Sequence, residues 1–176
     1  TIKRLMEEIE FDAADVTIID PKSEKEDARK NKYAKVYWEQ RKRRGVTYYS
    51  AQRLMRERNY FAAMMVNEGD ADALISGYSR NYPSVVKPML ELIGLAPGAT
   101  RVATTNIMMT KRGPMFLSDT SININPDSMD LTTIANMTAT TVKMFGLQPV
   151  IAMVSFSNFG SSTHESASKV REAVAY

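Results

Sequence analysis

Two segments place hydroxyl, glycine and basic residues directly after apolar runs. In ISGYSRNYPS, Ser76 and Gly77 end an apolar run, and Arg80 and Lys87 follow within reach of an anion. Glycine lets a ligand approach the backbone closely, and the start of a following helix favours negative charge. The segment therefore predicts an anion site, with an ordinary strand-to-helix turn as the alternative.

The second segment is SFSNFGSS, which carries Ser155, Ser157, Asn158 and Ser161 beside Gly160. Hydroxyls and a glycine at the end of a strand can bind a phosphate or the carbonyl of a thioester. The same composition also suits a turn built by serine and glycine. Both interpretations stay open at the level of the sequence.

Two further side chains, those of Asp119 and His164, are of types that can take part in catalysis or binding. Asp119 in FLSDTSININP can orient a substrate or cap a turn, and its setting favours capping. His164, the one histidine, lies in a polar loop and is expected to be exposed and not catalytic. The chain has no cysteine, which removes disulfides, zinc–thiolate sites and cysteine nucleophiles. We therefore assign no catalytic residue and no metal site.

The elements that must hold these residues follow from hydrophobic patterning. Apolar, β-branched runs predict buried strands at VTIID (16–20), ALISG (73–77) and PVIAMVSFS (149–157), and a strand pair at 101–109 and 113–119 joined by a turn. Helices are predicted over residues 25–45, 51–69, 84–94, 125–146 and 165–176. Ser50 is the predicted N-cap of the second helix. In the third helix, Pro88 is predicted near the first turn or at a kink.

This alternation predicts an α/β protein with a three-layer, mostly parallel sheet covered by helices on both faces. The segment LAPGAT (95–100) is a candidate hinge, so we expect parts of two subdomains, 1–97 and 98–176, with a cleft between them. In such sheets ligands bind at the carboxyl ends of the strands. The two polar segments are predicted at those ends.

Composition narrows the function classes. The 176 residues are 44% hydrophobic with a net charge of +3, and no apolar window is long enough to span a membrane. The first residues are charged and not a secretory signal, so we expect a cytoplasmic protein, and the missing initiator Met suggests part of a longer chain. The basic run ARKNKYAKVYWEQRKRRG resembles a nucleic-acid surface, but its nearby acids and the low net charge favour a solvated helix face.

Three blocks of the sequence resemble the phosphate acetyl/butyryltransferase family. DADALISGYSRNYPSVVKPMLELIG is similar to the family's strand ending in Ser-Gly and its following helix with an Arg-Pro pair, here Lys87-Pro88. GPMFLSDTSININPDSMDLTTIANMTATTVKMFG and PVIAMVSFSNFGSS resemble its Asp, Asn-Pro and helix block and its Ser-aromatic-Ser-Thr-Lys-Gly-Ser motif. The resemblance covers roughly residues 10 to 176, in the family's order.

Residues 35–80 are most similar to the phosphotransacetylase-like C-terminal domain of bacterial NADP-dependent malic enzymes. That resemblance implies a regulatory domain that binds acetyl-CoA or CoA and forms a homo-oligomer, a dimer or higher. Malate would be converted to pyruvate and CO2 by an N-terminal half, which would hold NADP and Mg or Mn and is not present in this sequence.

The sequence departs from active transacetylases at three places. Arg80-Asn81-Tyr82 replaces a usual His-Thr-Thr, and Asn158-Phe159 replaces Thr-Lys. The family's later Ser-Arg-Gly motif and its following Asp, which stabilise the tetrahedral intermediate and act on the CoA thiol, do not occur. This chain alone is therefore expected to be inactive.

By the resemblance, the two polar segments form facing walls of a cleft for acyl-CoA and phosphate. Two other functions stay open: a phosphate acetyltransferase whose catalytic C-terminal segment is not present, and a structural dimerisation module. No nucleic acid or membrane partner is expected. The ligand-binding residues implied by the motifs are Arg80 and Lys87 for phosphate, Ser155, Ser157, Asn158 and Ser161 for the acyl-CoA end, and Ser76 and Gly77 in the facing wall.

Overall fold

A computed structural model describes residues 2–12, 16–158 and 160–176 of the chain. The chain divides into two compact units, residues 1–94 and 95–176. The correspondence of these units to the two expected subdomains stays a prediction. Within the described ranges, no helix is long and apolar enough to cross a bilayer.

The first unit is helical. Its helices are α1 (Ile2–Glu8), α2 (Asp27–Arg41), α3 (Tyr48–Leu54), α4 (Arg58–Asn67) and α5 (Tyr82–Leu92). A 3-10 turn capped by Ser23 leads into α2, and a second 3-10 turn after α2 ends at Gly45. Gly45 has a φ of 84°, the left-handed conformation that a helix stop requires and that glycine adopts without strain. The predicted first long helix is confirmed.

The helix predicted over 51–69 is two helices, and its predicted N-cap is wrong. Thr47 caps α3, and Ser50 completes a reciprocal capping box as the third helical residue. The chain then breaks at Glu57, whose backbone is extended, before α4 begins. Helix-forming composition continues through residues 55–57, so the break is decided by the packing of two short helices and not by propensity.

Aromatic and methionine side chains of α2, α3 and α4 form the core of the first unit. Tyr33 of α2 is fully buried, and its ring lies 5.3 Å from the ring of Phe61 on α4. Met55 and Met64 are also fully buried and fill the space around these rings. Burial of each such side chain contributes about 1.5–3 kcal/mol, so this cluster holds α2 against α4.

A partly buried carboxylate on α5 ties the same helices together. Glu91 accepts hydrogen bonds from the hydroxyls of Tyr37, at 2.9 Å, and Tyr60, at 2.8 Å. Its other oxygen accepts from the Arg41 guanidinium at 3.2 Å. Burial, followed by the hydrogen bond to Glu91, raises the pKa of Tyr37 to about 12. Both tyrosines therefore remain neutral donors to a charged acceptor.

The second unit contains the hairpin of β1 (Thr105–Thr110) and β2 (Gly113–Ser118), followed by α6 (Ser128–Met144) and α7 (Glu165–Ala175). The strands are antiparallel, with Thr105 opposite Ser118 and Thr110 opposite Gly113, so the predicted strand pair and turn are confirmed. Asp127 caps α6 through a capping box with Asp130. The ring of Phe116 packs 5.5 Å from that of Phe145, which holds the hairpin against the end of α6.

The sheet differs from the prediction. In the described ranges the regular sheet is this two-stranded antiparallel hairpin, and the segments predicted as strands at 16–20, 73–77 and 149–157 pair with no neighbour. Ile75 is 98% exposed, Val150 94% and Val154 86%. A strand is stabilised by ladder hydrogen bonds and by burial of its faces. These segments have no ladder hydrogen bonds in the described residues, and their burial is slight, with Ile19 and Leu74 packed partly against the core. The α/β class holds, and the three-layer parallel sheet is not observed.

Glu91→Gln is expected to lower the free energy of unfolding by about 1–3 kcal/mol, because it removes the charged acceptor shared by Tyr37, Tyr60 and Arg41. Urea unfolding of purified variants measures the change. Glu39→Gln, an exposed carboxylate on α2, is the matched control and should shift stability by less than about 0.5 kcal/mol. Equal effects of the two substitutions would contradict a structural role for Glu91.

Candidate functional site

A buried amide organises the Ser-Gly loop of the first unit. Asn59 on α4 is 6% exposed, and its side-chain oxygen accepts a hydrogen bond from the Ser76 hydroxyl at 2.8 Å. Its side-chain nitrogen donates to the backbone carbonyl of Ser84 in the first turn of α5, at 3.1 Å. One side chain therefore fixes the predicted anion loop to two helices.

Pro88 explains why the Ser84 carbonyl needs this donor. Pro88 lies inside α5 and is buried, whereas Pro83 occupies the first turn. A proline has no N–H, so the carbonyl four residues earlier, that of Ser84, loses its intrahelical partner. The Asn59 amide supplies the missing donor. Of the two predicted positions for Pro88, the first turn is therefore wrong, because Pro83 occupies it.

The loop after Ser76 is open at the surface. Gly77 has a φ of 127°, which other residues rarely adopt, and no atom lies where a Cβ would point. Asn81 caps α5 by accepting from the Ser84 N–H at 3.1 Å. Backbone and helix start are therefore accessible, as an anion site at this loop would require.

The two predicted phosphate ligands differ in their present partners. The Arg80 guanidinium lies 3.0 Å from the Glu57 carboxylate, and both side chains are about half exposed. Lys87 on α5 is exposed and forms no ion pair within the described parts of the chain. Lys87 is therefore available to an anion directly, whereas Arg80 must share its charge with Glu57.

In the second unit, the serine-rich loop holds its hydroxyls in a compact cluster. The Ser157 hydroxyl accepts from the Ser162 N–H at 3.1 Å and lies 3.5 Å from the Ser161 hydroxyl. The Ser155 hydroxyl accepts from the Ser157 N–H at 3.2 Å, and the Asn158 carbonyl accepts from the Ser161 N–H at 3.0 Å. Phe159, part of one predicted departure, lies outside the described residues.

A cavity of about 350 Å³ lies between this loop and α7, with Ser155, Ser157 and Gly160 on one side and Arg171 on the other. Arg171 donates to the Ser162 carbonyl at 3.1 Å. A guanidinium beside serine hydroxyls can hold a phosphate or polarise a carbonyl. The sequence did not single out Arg171, because only the return of α7 against the loop brings it there.

His164 caps a helix. Its Nδ1 accepts from the Ser166 N–H at 3.1 Å at the start of α7, and its ring packs at right angles to Phe156, 5.7 Å away. The ring is exposed, as the sequence predicts, and its described contacts are those of a cap.

Asp119 is a structural carboxylate. Its oxygens accept from the N–H and hydroxyl of Thr104, from the N–H and side-chain amide of Asn123, and from the Ser121 N–H. Burial raises its pKa, but the hydrogen bonds from Thr104 and Asn123 outweigh that effect and hold the pKa well below its usual range. These hydrogen bonds are those of a turn cap, which is the role that the sequence favours for Asp119.

The eight predicted ligand-binding residues fall into two groups. Ser76, Gly77, Arg80 and Lys87 belong to the first unit, and Ser155, Ser157, Asn158 and Ser161 belong to the second. The assignment of these residues as one ligand site, and the cleft between the two groups, stay predictions. Among the described residues, no group of three or more His, Cys, Asp or Glu side chains is placed to hold a metal ion.

Comparison with known proteins matches the chain to one protein family. The model of the phosphate acetyl/butaryl transferase family matches residues 1–176. A phosphate acetyltransferase from Thermoanaerobacterium thermosaccharolyticum is 38% identical over 93% of this chain and 51% of its own length. An NADP-dependent malic enzyme from Escherichia coli is 38% identical over 84% of this chain and 20% of its own length.

A solved structure shows the same fold. The EutD phosphotransacetylase from Staphylococcus aureus superposes with a TM-score of 0.78 at 32% identity, covering 99% of this chain and 52% of its own. The chain thus spans about half the length of that phosphotransacetylase and of the Thermoanaerobacterium relative, and a fifth of the E. coli malic enzyme.

Asn59→Ala is expected to cost about 1–3 kcal/mol of stability, because it leaves the Ser84 carbonyl without a donor. In a Pro88→Ala background the new N–H can donate to that carbonyl, so the same Asn59 substitution should cost less. A double-mutant cycle by urea unfolding measures the difference, expected at about 0.5–3 kcal/mol. A coupling energy near zero would contradict the compensation between Asn59 and Pro88.

Asp119→Asn is expected to lower the free energy of unfolding at neutral pH by about 1–3 kcal/mol, because it removes a charged acceptor of several hydrogen bonds. A depressed pKa stabilises the fold above the ordinary value of 3.8, and this stabilisation is lost as the pH falls through the folded value. Unfolding curves of the wild type and the variant should converge only well below pH 3.8. Glu172→Gln, an exposed carboxylate on α7, should show no such pH-dependent gap.

Proposed function

Because the chain belongs to the phosphate acetyl/butaryl transferase family, we propose that it binds acetyl-CoA or CoA and regulates an NADP-dependent malic enzyme. In that enzyme a separate half would convert malate to pyruvate and CO2 and would hold NADP and Mg or Mn. The malic-enzyme relative, 38% identical over 84% of the chain, supports this assignment.

One observation carries the ligand class. The serine-rich loop of the second unit holds the hydroxyls of Ser155 and Ser157 beside a cavity that Arg171 also lines. Such a cluster offers neutral donors for a thioester carbonyl and one cation for a phosphate, the two polar ends of an acyl-CoA. Ser155, Ser157, Asn158 and Ser161 would take the acyl-CoA end.

The loop of the first unit supplies the complementary charge. Lys87 has no carboxylate partner in the described ranges, and Arg80 can exchange Glu57 for a stronger anion. Ser76 and Gly77 would form the wall next to them, held by Asn59. Binding would regulate catalysis through a difference in acyl-CoA affinity between two states of a homo-oligomer.

A phosphate acetyltransferase is the second candidate. It is favoured by the Thermoanaerobacterium relative, which matches 93% of the chain. Such an enzyme converts acetyl-CoA and phosphate to acetyl phosphate and CoA. Here the same residues would position both substrates and stabilise the developing oxyanion, with no protein nucleophile.

The proposal extends to the sheet and the cellular setting. The exposed apolar segments at 73–77 and 149–157 suit strands of a larger, mostly parallel sheet with helices on both faces. We expect a cytoplasmic homo-oligomer. Both statements concern the complete protein.

Acetyl-CoA titration of the full-length protein tests the binding site. Lys87→Ala is expected to weaken acetyl-CoA binding about tenfold, because it removes an unpaired cation from the anion loop. Lys35→Ala, an exposed lysine on α2, should leave the affinity unchanged. Absence of acetyl-CoA binding to the wild type would contradict the proposal.

Activity assays on the same protein separate the two functions. The regulatory assignment predicts malate-dependent NADP reduction that changes with acetyl-CoA, without formation of acetyl phosphate. Formation of acetyl phosphate without malate turnover would instead establish the acetyltransferase.

A further inference from the structure

A groove of about 470 Å³ on the first unit is lined by an excess of cations. Five basic side chains and two carboxylates face it: Lys3, Lys22, Arg56, Arg58 and Arg80, with Asp20 and Glu57. We call this set of residues the basic groove. The groove therefore carries an excess of three positive charges, as large as the net charge of +3 of the whole 176-residue chain.

Most of these cations have no carboxylate partner. Glu57 is engaged by Arg80 at 3.0 Å, and Asp20 accepts from the backbone N–H of Lys22 at 2.9 Å. Within the described residues, Lys3, Lys22, Arg56 and Arg58 form no ion pair, and all four are exposed. Clustering like charges costs energy unless an anion binds among them, so the groove is suited to a multiply charged anion.

The floor of the groove is apolar. Ile2, Ile18 and Ile19 line it together with Pro21, and Ile2 and Ile18 remain 57% and 39% exposed. An inorganic ion would leave this apolar surface in water. A ligand with a flat apolar moiety beside its charged groups would cover it, and a volume of about 470 Å³ lies within the usual range of small-molecule sites.

We infer that the basic groove binds a nucleotide through its diphosphate, with the base against the isoleucine floor. Arg56 and Arg58, on either side of Glu57 at the start of α4, would hold the phosphates with Lys22. Each guanidinium can bind two oxygens of one phosphate, so two guanidinium groups with one ammonium group suit two adjacent phosphates. Arg80 is shared with the proposed acyl-CoA site, but the inference stands on the other cations and the apolar floor of the groove.

Titration of ADP into the full-length protein tests the site. The double variant Lys22→Ala/Arg58→Ala is expected to weaken ADP binding at least about tenfold, the loss of one charge-assisted hydrogen bond or more. Lys25→Ala/Arg53→Ala removes the same charge from exposed positions outside the groove and should leave binding within about twofold. Unfolding midpoints of both variants should match the wild type, because neither pair contributes to the core.

AMP and pyrophosphate test separately whether the groove recognises the diphosphate and the base. AMP is expected to bind more weakly than ADP, and pyrophosphate more weakly than ADP, because each lacks one of the two features that the groove recognises. Absence of ADP binding, AMP binding as tightly as ADP, or equal losses in the two double variants would each overturn the inference.

CoA, which carries a diphosphate on adenosine, identifies the source of the nucleotide. Equal weakening of CoA and ADP in Lys22→Ala/Arg58→Ala would identify the bound nucleotide as the one carried by CoA. Unchanged CoA binding in that variant, with ADP binding lost, would identify a free nucleotide. Lys87→Ala reports on the acyl-CoA proposal separately, because Lys87 does not line the basic groove.

Discussion

The need to satisfy buried polar groups organises the candidate site of the first unit. Pro88 removes one hydrogen bond from α5, that of the Ser84 carbonyl, and the buried Asn59 amide donates to this carbonyl instead. Asn59 repairs this defect and at the same time holds Ser76. Because the Asn59 amide is buried, its oxygen and its nitrogen both need partners, and these partners bind α4, α5 and the Ser-Gly loop into one arrangement.

Glu91, one turn further along α5, is a second polar group that must be paired where little water reaches it. A carboxylate among aromatic rings is stable only if its oxygens are paired, and two tyrosine hydroxyls with one guanidinium achieve this. Arg41 itself keeps one buried nitrogen, Nε, without a partner in the described residues. The basic run on α2 is therefore not only a solvated face, since Tyr33, Tyr37 and Arg41 point into the unit.

In the second unit, the turns around the candidate site are held by hydrogen bonds to hydroxyls, carboxylates and backbone groups. Asp119 holds the turn after β2, and the Ser157 hydroxyl holds the turn before α7. Beside the turn that Ser157 holds, Ser155 and Arg171 line a cavity. Apolar segments of both units, among them those around Ile75 and Val150, are exposed in the described residues.

Local sequence determined the helix α2 with its Gly45 stop and the β1–β2 hairpin, because these depend on residues close in the chain. For the cap of α6 the sequence offered Asn125 or Asp127, and the structure shows Asp127. The sequence also identified both hydroxyl-rich loops and their family. Tertiary structure decided the break at Glu57, the partnership of Asn59 with Ser84, and the place of Arg171. The segments predicted as strands at 16–20, 73–77 and 149–157 are unpaired in the described residues for the same reason: such a strand needs a partner distant in sequence, and composition alone cannot supply one.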